Sequence, residues 1–169
     1  MRMRRVPFTG DEKQSLYVAL DRHRDALLWK LEGLSEDDLR RSVVPSGTSL
    51  LGMLKHLASV EYNWFCGTFG RESLEVPYSD DDWDSDWRIE PWETTEGVLE
   101  YYAMARRDAD AVIDELDLTD TGTAWYGPTV TLRWVLIHMV EEVCRHAGHA
   151  DIIRELLDGR TGSFEDYPG

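Results

Sequence analysis

The sequence predicts an all-α protein, a four-helix bundle with long connections after its second and third helices. Three observations carry this prediction. Four stretches place apolar residues at helical spacing, they open on capping residues and three of them close at a glycine, and no strand-like alternation interrupts them. Four amphipathic helices bury their apolar stripes by packing on one another, which is the bundle solution.

Each element follows from its residues. Thr9 and Glu12 have capping-box spacing, and Leu16, Leu20, Leu27 and Leu31 follow at helical intervals, with His23 on the same stripe, until Gly33 ends the run. Ser35 to Asp38 predicts a second cap, opening at most a turn or two. Val44-Pro45-Ser46-Gly47 breaks the chain, and Thr48 or Ser49 caps a helix carrying Leu50, Leu54, Leu57, Val60 and Trp64, reaching about Phe69 before Gly70. Residues 70–93 then form a long connection. Asp80, Asp81, Asp82, Asp84 and Asp86 crowd there with Pro77 and Pro91, interleaved with Trp83, Trp87 and Trp92. A connection this long in a compact domain usually has a task, and two readings fit: the tryptophans pin a crossover while the aspartates face water, or the segment covers a site. Thr94 or Thr95 caps the third long helix, lined by Val98, Tyr102, Ala105, Ala109, Val112 and Leu116. A connection over 117–128 contains Gly122, Gly127 and Pro128. The last helix runs from about Thr129 to Asp158 and stops at Gly159. The ends, 1–8 and 160–169, are expected to be flexible.

Composition bounds the function. A length of 169 residues fits one domain over 1–169, and 42% hydrophobic with 11% aromatic residues excludes whole-chain disorder. Asp and Glu number 33 against 18 Lys and Arg, a net charge of −15 that repels phosphate backbones, so no nucleic-acid partner is expected. No apolar run approaches the roughly 20 residues of a membrane span, so no membrane partner is expected either. The basic start, Met1 to Arg5, lacks the apolar stretch of a signal peptide. Cys66 and Cys144 form no disulfide framework, which fits a reducing, cytoplasmic setting.

The last helix carries the chemistry. His138, Glu142, His146 and His149 are separated by four, four and three residues, which stacks them on one face about 6 Å apart per turn. Val135, Met139, Ile153 and Leu157 continue much the same stripe, so imidazole and carboxylate stand where leucine is expected. Burying such groups costs several kcal/mol unless they are partnered, and a metal ion is an efficient common partner in a bundle core. His23, alone among leucines, reads as an ordinary core histidine.

The stretch Ser49 to Phe65, with His56-Leu-Ala-Ser-Val-Glu61, together with Thr131 to Asp151, with His138, Glu142 and His146-Ala-Gly-His149, resembles the DinB-like superfamily. Within it the chain is similar to the actinobacterial branch that includes the mycothiol-dependent maleylpyruvate isomerases, over roughly residues 10–160. The resemblance implies a four-helix bundle holding a divalent metal, commonly zinc or nickel. Carried over position by position, it implies His56, Glu142 and His146 as ligands, with Glu142 standing where many DinB-like proteins have histidine. His138 and His149 become partners that orient a ligand or approach a substrate.

An open metal position coordinates a thiol as thiolate, the competent nucleophile. The superfamily that the chain resembles is tied to low-molecular-weight thiols, so the resemblance implies a metal-dependent transferase or isomerase using a thiol such as mycothiol on a small electrophile. Two alternatives are a non-catalytic metal-binding stress-response bundle, and an interaction module whose acidic loop, 79–86, takes a basic partner. Arg145 and Arg154 are candidates to grip a cofactor or act as base, against the reading that both lie on solvated faces. Cys144 is expected to point off the His146 stripe and to pack, as is Cys66, while Glu61 is either a structural acid or a neighbour of the ligands. A homodimer is a possible assembly, opposed by the surplus negative charge.

Overall fold

The protein is described here by a computed structural model covering residues 7–73, 76, 82 and 84–161. It is mostly helical. The elements run α1 (Glu12–Leu31), α2 (Glu36–Arg40), α3 (Leu50–Tyr62) continuing into a π-helical turn (Asn63–Gly67), α4 (Thr95–Glu115), β1 (Thr121–Thr123), β2 (Thr129–Thr131) and α5 (Leu132–Asp158). The expected flexibility of the chain ends falls largely outside the described residues.

Local chemistry sets the helix ends. Asp11, rather than Thr9, caps α1 by accepting a hydrogen bond from the Lys13 amide at 2.8 Å. A carboxylate is as good a cap as a hydroxyl, and here it leaves acidic Glu12 in the first turn, where the helix dipole favours it. Ser49, Thr94 and Thr131 cap α3, α4 and α5 in the same way. Gly159 adopts φ 75° beyond α5, the left-handed stop its sequence predicts.

Three expectations change. The second long helix is α-helical only to Tyr62 and then widens into the π turn that holds Trp64. The last helix starts at Leu132, because Thr129–Thr131 is extended. Those residues pair antiparallel with Thr121–Thr123, Gly122 facing Val130, so a small two-stranded sheet exists where no strand is expected. Three-residue strands are too short to show alternation, although their threonines and valine favour extended backbone.

α1 packs along α5 and α3 along α4, with α3 also touching α1 and α5. Leu20 and Leu27 of α1, Leu54 and Leu57 of α3, Tyr102 and Ala105 of α4, and Leu136 and Met139 of α5 meet in one core. Each fully buried leucine stabilises the fold by about 1.5–3 kcal/mol. Through this core runs a charged network. Fully buried Arg24 donates from Nε and Nη2 to the two carboxylate oxygens of Glu61, at 3.1 and 2.6 Å, and from Nη1 to Asp110 at 2.7 Å. Glu61 is thus a structural acid joining α3 to α1. Burial pushes its carboxyl up, opposed by the Arg24 charge.

Candidate metal centre

His56 projects from the middle of α3, and Glu142 and His146 from adjacent turns of α5. Their donor atoms all lie within 4.8 Å of one another. Glu142 Oε1 stands 3.1 Å from His146 Nε2 and 3.8 Å from His56 Nε2. His146 is buried, and the other two are half-buried. Hydrogen bonding from His146, then His56, holds the Glu142 carboxyl well below the usual carboxylate range, against the opposing effect of burial. Burial works against charge on His56, but its hydrogen bonds to Asp86 and Glu142 outweigh it and raise its pKa.

The long connection after the π turn completes the group. Asp86, 4% exposed, places Oδ2 2.7 Å from His56 Nδ1, on the side of the ring opposite Glu142. The Trp87 indole stacks on the same imidazole, centroids 3.9 Å apart and planes at 19°. Two features of α3 hold this loop. Gly52, one turn before His56, has no Cβ, and a Cβ there would run into the Trp87 carbonyl oxygen. Buried Lys55 donates from Nζ to the carbonyls of Ser85 (3.2 Å) and Arg88 (2.9 Å) and pairs with Glu93.

Other expected residues fall elsewhere. His149 is exposed, its Nδ1 3.5 Å from His146 Nδ1. His138 turns to aromatic neighbours, stacking on Trp134 at 5.2 Å and meeting Trp64 edge-on at 4.7 Å. Arg145 is exposed, 3.6 Å from Glu142 Oε2. Arg154 is buried away from the centre, donating to the Lys30 and Glu32 carbonyls and pairing with Asp158, so it ties α5 to the end of α1. Cys144 is exposed and has no packing role, whereas Cys66 is buried and its thiol is pushed up to about 12, chiefly by burial. His23 is only half-buried, and burial, then Arg22, lowers its pKa. Of the acidic loop, Asp82 pairs with Arg88 and Asp86 with His56, while residues 79–81 and Trp83 lie outside the described residues.

Asp86, Trp87, Gly52 and Lys55 escape sequence reasoning. Their contacts join a loop to a helix, and no periodicity marks such a pairing; only the length of the connection points to a task.

Residues 15–159 match the family described as Mycothiol-S-transferase. The chain belongs to the mycothiol-S-transferase family. The DinB-like resemblance is thereby borne out, on the mycothiol side of that superfamily. No curated protein matches the chain in sequence. Among solved structures it is similar to a conserved protein from Enterococcus faecalis, with TM-score 0.65 and 18% identity, over 90% of this chain and 100% of that one. At that identity the likeness speaks for the fold alone. Membership of the mycothiol-S-transferase family bears on the small-molecule thiol, and no helix among the described residues is long and apolar enough to cross a membrane.

Proposed function

We propose that the protein is a divalent-metal-dependent transferase that joins mycothiol to a small electrophile, with His56, Glu142 and His146 as the metal ligands. The observation that carries this reading is the convergence of three donors from two helices in a chain of this family. The donor set suits zinc. Two imidazoles and a carboxylate form a three-ligand catalytic set, and at Zn–ligand distances of about 2.1 Å tetrahedral donors stand roughly 3.4 Å apart. The two Glu142–histidine distances, 3.1 and 3.8 Å, bracket that separation, and the three donors all lie within 4.8 Å of one another. Nickel accepts the same donors.

A divalent cation held by His56, Glu142 and His146 would supply the chemistry that lowers the pKa of a thiol to give thiolate at neutral pH. The chain's own residues prepare that site. Asp86, accepting from His56 Nδ1–H, would leave the Nε2 lone pair to a cation in place of the hydrogen bond that Nε2 otherwise makes to Glu142. Trp87 fixes the plane of the ring and shields it from water. His149 sits at the outer nitrogen of His146, in the corresponding orienting position. Glu142, anionic across the working range, offsets the charge of the cation. Overall, a sulfur–carbon bond forms, the bond to the leaving group breaks with its electron pair, and the thiol proton ends on the leaving group or solvent.

In the same reading α1, α3, α4 and α5 are the four members of a DinB-like bundle, supported by the α1–α5 and α3–α4 pairings. The protein works in the reducing cytoplasm, which suits an exposed free Cys144. The test combines metal analysis with turnover. Protein purified without added metal should contain one divalent ion per chain and conjugate mycothiol to a bimane electrophile. His56→Ala and Glu142→Gln should lose both ion and conjugation. Full activity in the chelated protein, or no stoichiometric ion in the wild type, overturns the proposal.

A further inference from the structure

An aromatic shelf lies beside the candidate centre and has no part in it so far. Trp64 is its base, 4% exposed. Around it stand Trp125 at 5.0 Å, Tyr126 at 6.4 Å, Trp134 at 5.2 Å and His138 at 4.7 Å between ring centroids. Trp125, Tyr126 and Trp134 are 54, 57 and 42% exposed, far more than core packing requires. Such a set of wet indoles and phenol around a buried one is a feature that marks binding surfaces.

The shelf is built, and it is continuous with the ligand cluster. Gly122 lets the hairpin lie against the Thr68 backbone, where the Thr123 amide donates to the Thr68 carbonyl at 2.9 Å. The turn between β1 and β2 closes through the Ala124 amide to the Pro128 carbonyl at 3.0 Å, with Gly127 at φ 104°, and carries Trp125 and Tyr126. On α5, Trp134, His138 and Glu142 follow at intervals of four residues, so His138 is about 6 Å and Trp134 about 12 Å along the axis from Glu142. Trp64 lies about 12 Å past His56 on the other side, by the same rise. Both helices therefore lead from the donor cluster to the shelf.

We propose that this shelf seats the neutral, polyhydroxylated ring body of the thiol cosubstrate, through its C–H faces, while the sulfur reaches the His56–Glu142–His146 cluster. The inference rests on the function proposed above. Distance decides which part of which substrate belongs here. A reacting carbon must approach sulfur to about 3–3.5 Å, so a shelf roughly 6–12 Å away holds a body remote from the reaction and not the electrophilic carbon. Charge decides the chemical class. Glu141 and Glu142 border His138, with Arg145 beyond, and Arg133 is engaged by Glu12. That rim, on a chain of net charge −15, disfavours thiols whose bodies carry carboxylates or phosphates. A sugar or cyclitol ring carries no charge, stacks its apolar face on indole and leaves its hydroxyls in water, which suits half-exposed rings.

The experiment uses the full-length, metal-loaded protein and the N-acetylglucosaminyl–inositol head of mycothiol, with an acetyl group in place of its acylcysteine, a neutral probe that cannot ligate through sulfur. Tryptophan fluorescence should change saturably with this head, and Trp125→Ala and Trp134→Ala should each weaken its binding about 3- to 10-fold, with Trp134→Phe restoring most of it. Metal content should stay at the wild-type level in all three, which separates this result from loss of the centre. In turnover, the variants should raise KM for mycothiol while KM for the bimane electrophile holds. Absence of head binding overturns the proposal, as does equal binding by Trp125→Ala and wild type. A KM increase confined to the electrophile also overturns it by assigning the shelf to the acceptor. Head binding that survives metal removal and vanishes with the indoles upholds it whether or not conjugation is found.

Discussion

Asp86 stands among five closely spaced aspartates, yet it alone of the described ones is buried, with its Oδ2 on His56 and its Oδ1 without a hydrogen-bond partner among the described residues. In the proposed function it is a positioning residue, one that would act by fixing the tautomer and direction of His56. Asp86→Asn keeps the shape, removes the charge and should weaken zinc affinity about 10- to 100-fold, read by competition with a chromogenic chelator, while the helical circular dichroism stays unchanged. Affinity within twofold of wild type would show that the contact is incidental. At this scale, Glu142 and His146 are legible in the sequence as part of a four-residue rhythm on one helix, and His56 through the resemblance of its block to a known family. His138 shares that rhythm but not the destination: one turn along α5 the facing residue is Trp64, and the ring stacks on indole instead.

The helices were legible because each declares its ends and its apolar face; the π turn and the hairpin were not, since each depends on contacts distant in sequence. The element pairing least visible beforehand is that of α1 with α3 through Arg24 and Glu61. An arginine with no exposed surface is held by three carboxylates, and removing one partner strands a charge in the core. Glu61→Leu should cost about 3–5 kcal/mol, measured by urea unfolding, because Arg24 is left buried without its bidentate partner. The double variant Arg24→Met/Glu61→Leu should recover much of that loss, since an apolar pair of similar volume has no charge to desolvate. A loss in the double variant equal to the sum of the two single losses would assign the pair no coupling.

For the molecule as a whole, the proposed cation across α3 and α5 would couple folding to ligation. Binding only the native state adds RT ln(1 + [M]/Kd), about 2.7 kcal/mol at a free metal concentration one hundred times Kd. Chelation should therefore lower Tm by several degrees, and the fall should disappear in His56→Ala, which has nothing to lose. A Tm indifferent to chelator in the wild type would count against an ion bridging the helices. The acidic surplus acts in the same direction, because an added dication relieves part of a net charge of −15.

Gly52 ties the candidate centre to a distant stretch of chain. The missing side chain on α3 is the slot into which the Trp87 carbonyl settles, thirty-five residues further along the chain. Until that strap is buckled, His56 has neither its carboxylate brace nor its indole cover, however well the helices have already formed. One scission of the strap near residue 85 would leave a protein that is helical by every spectroscopic measure and yet slack at its chemical heart.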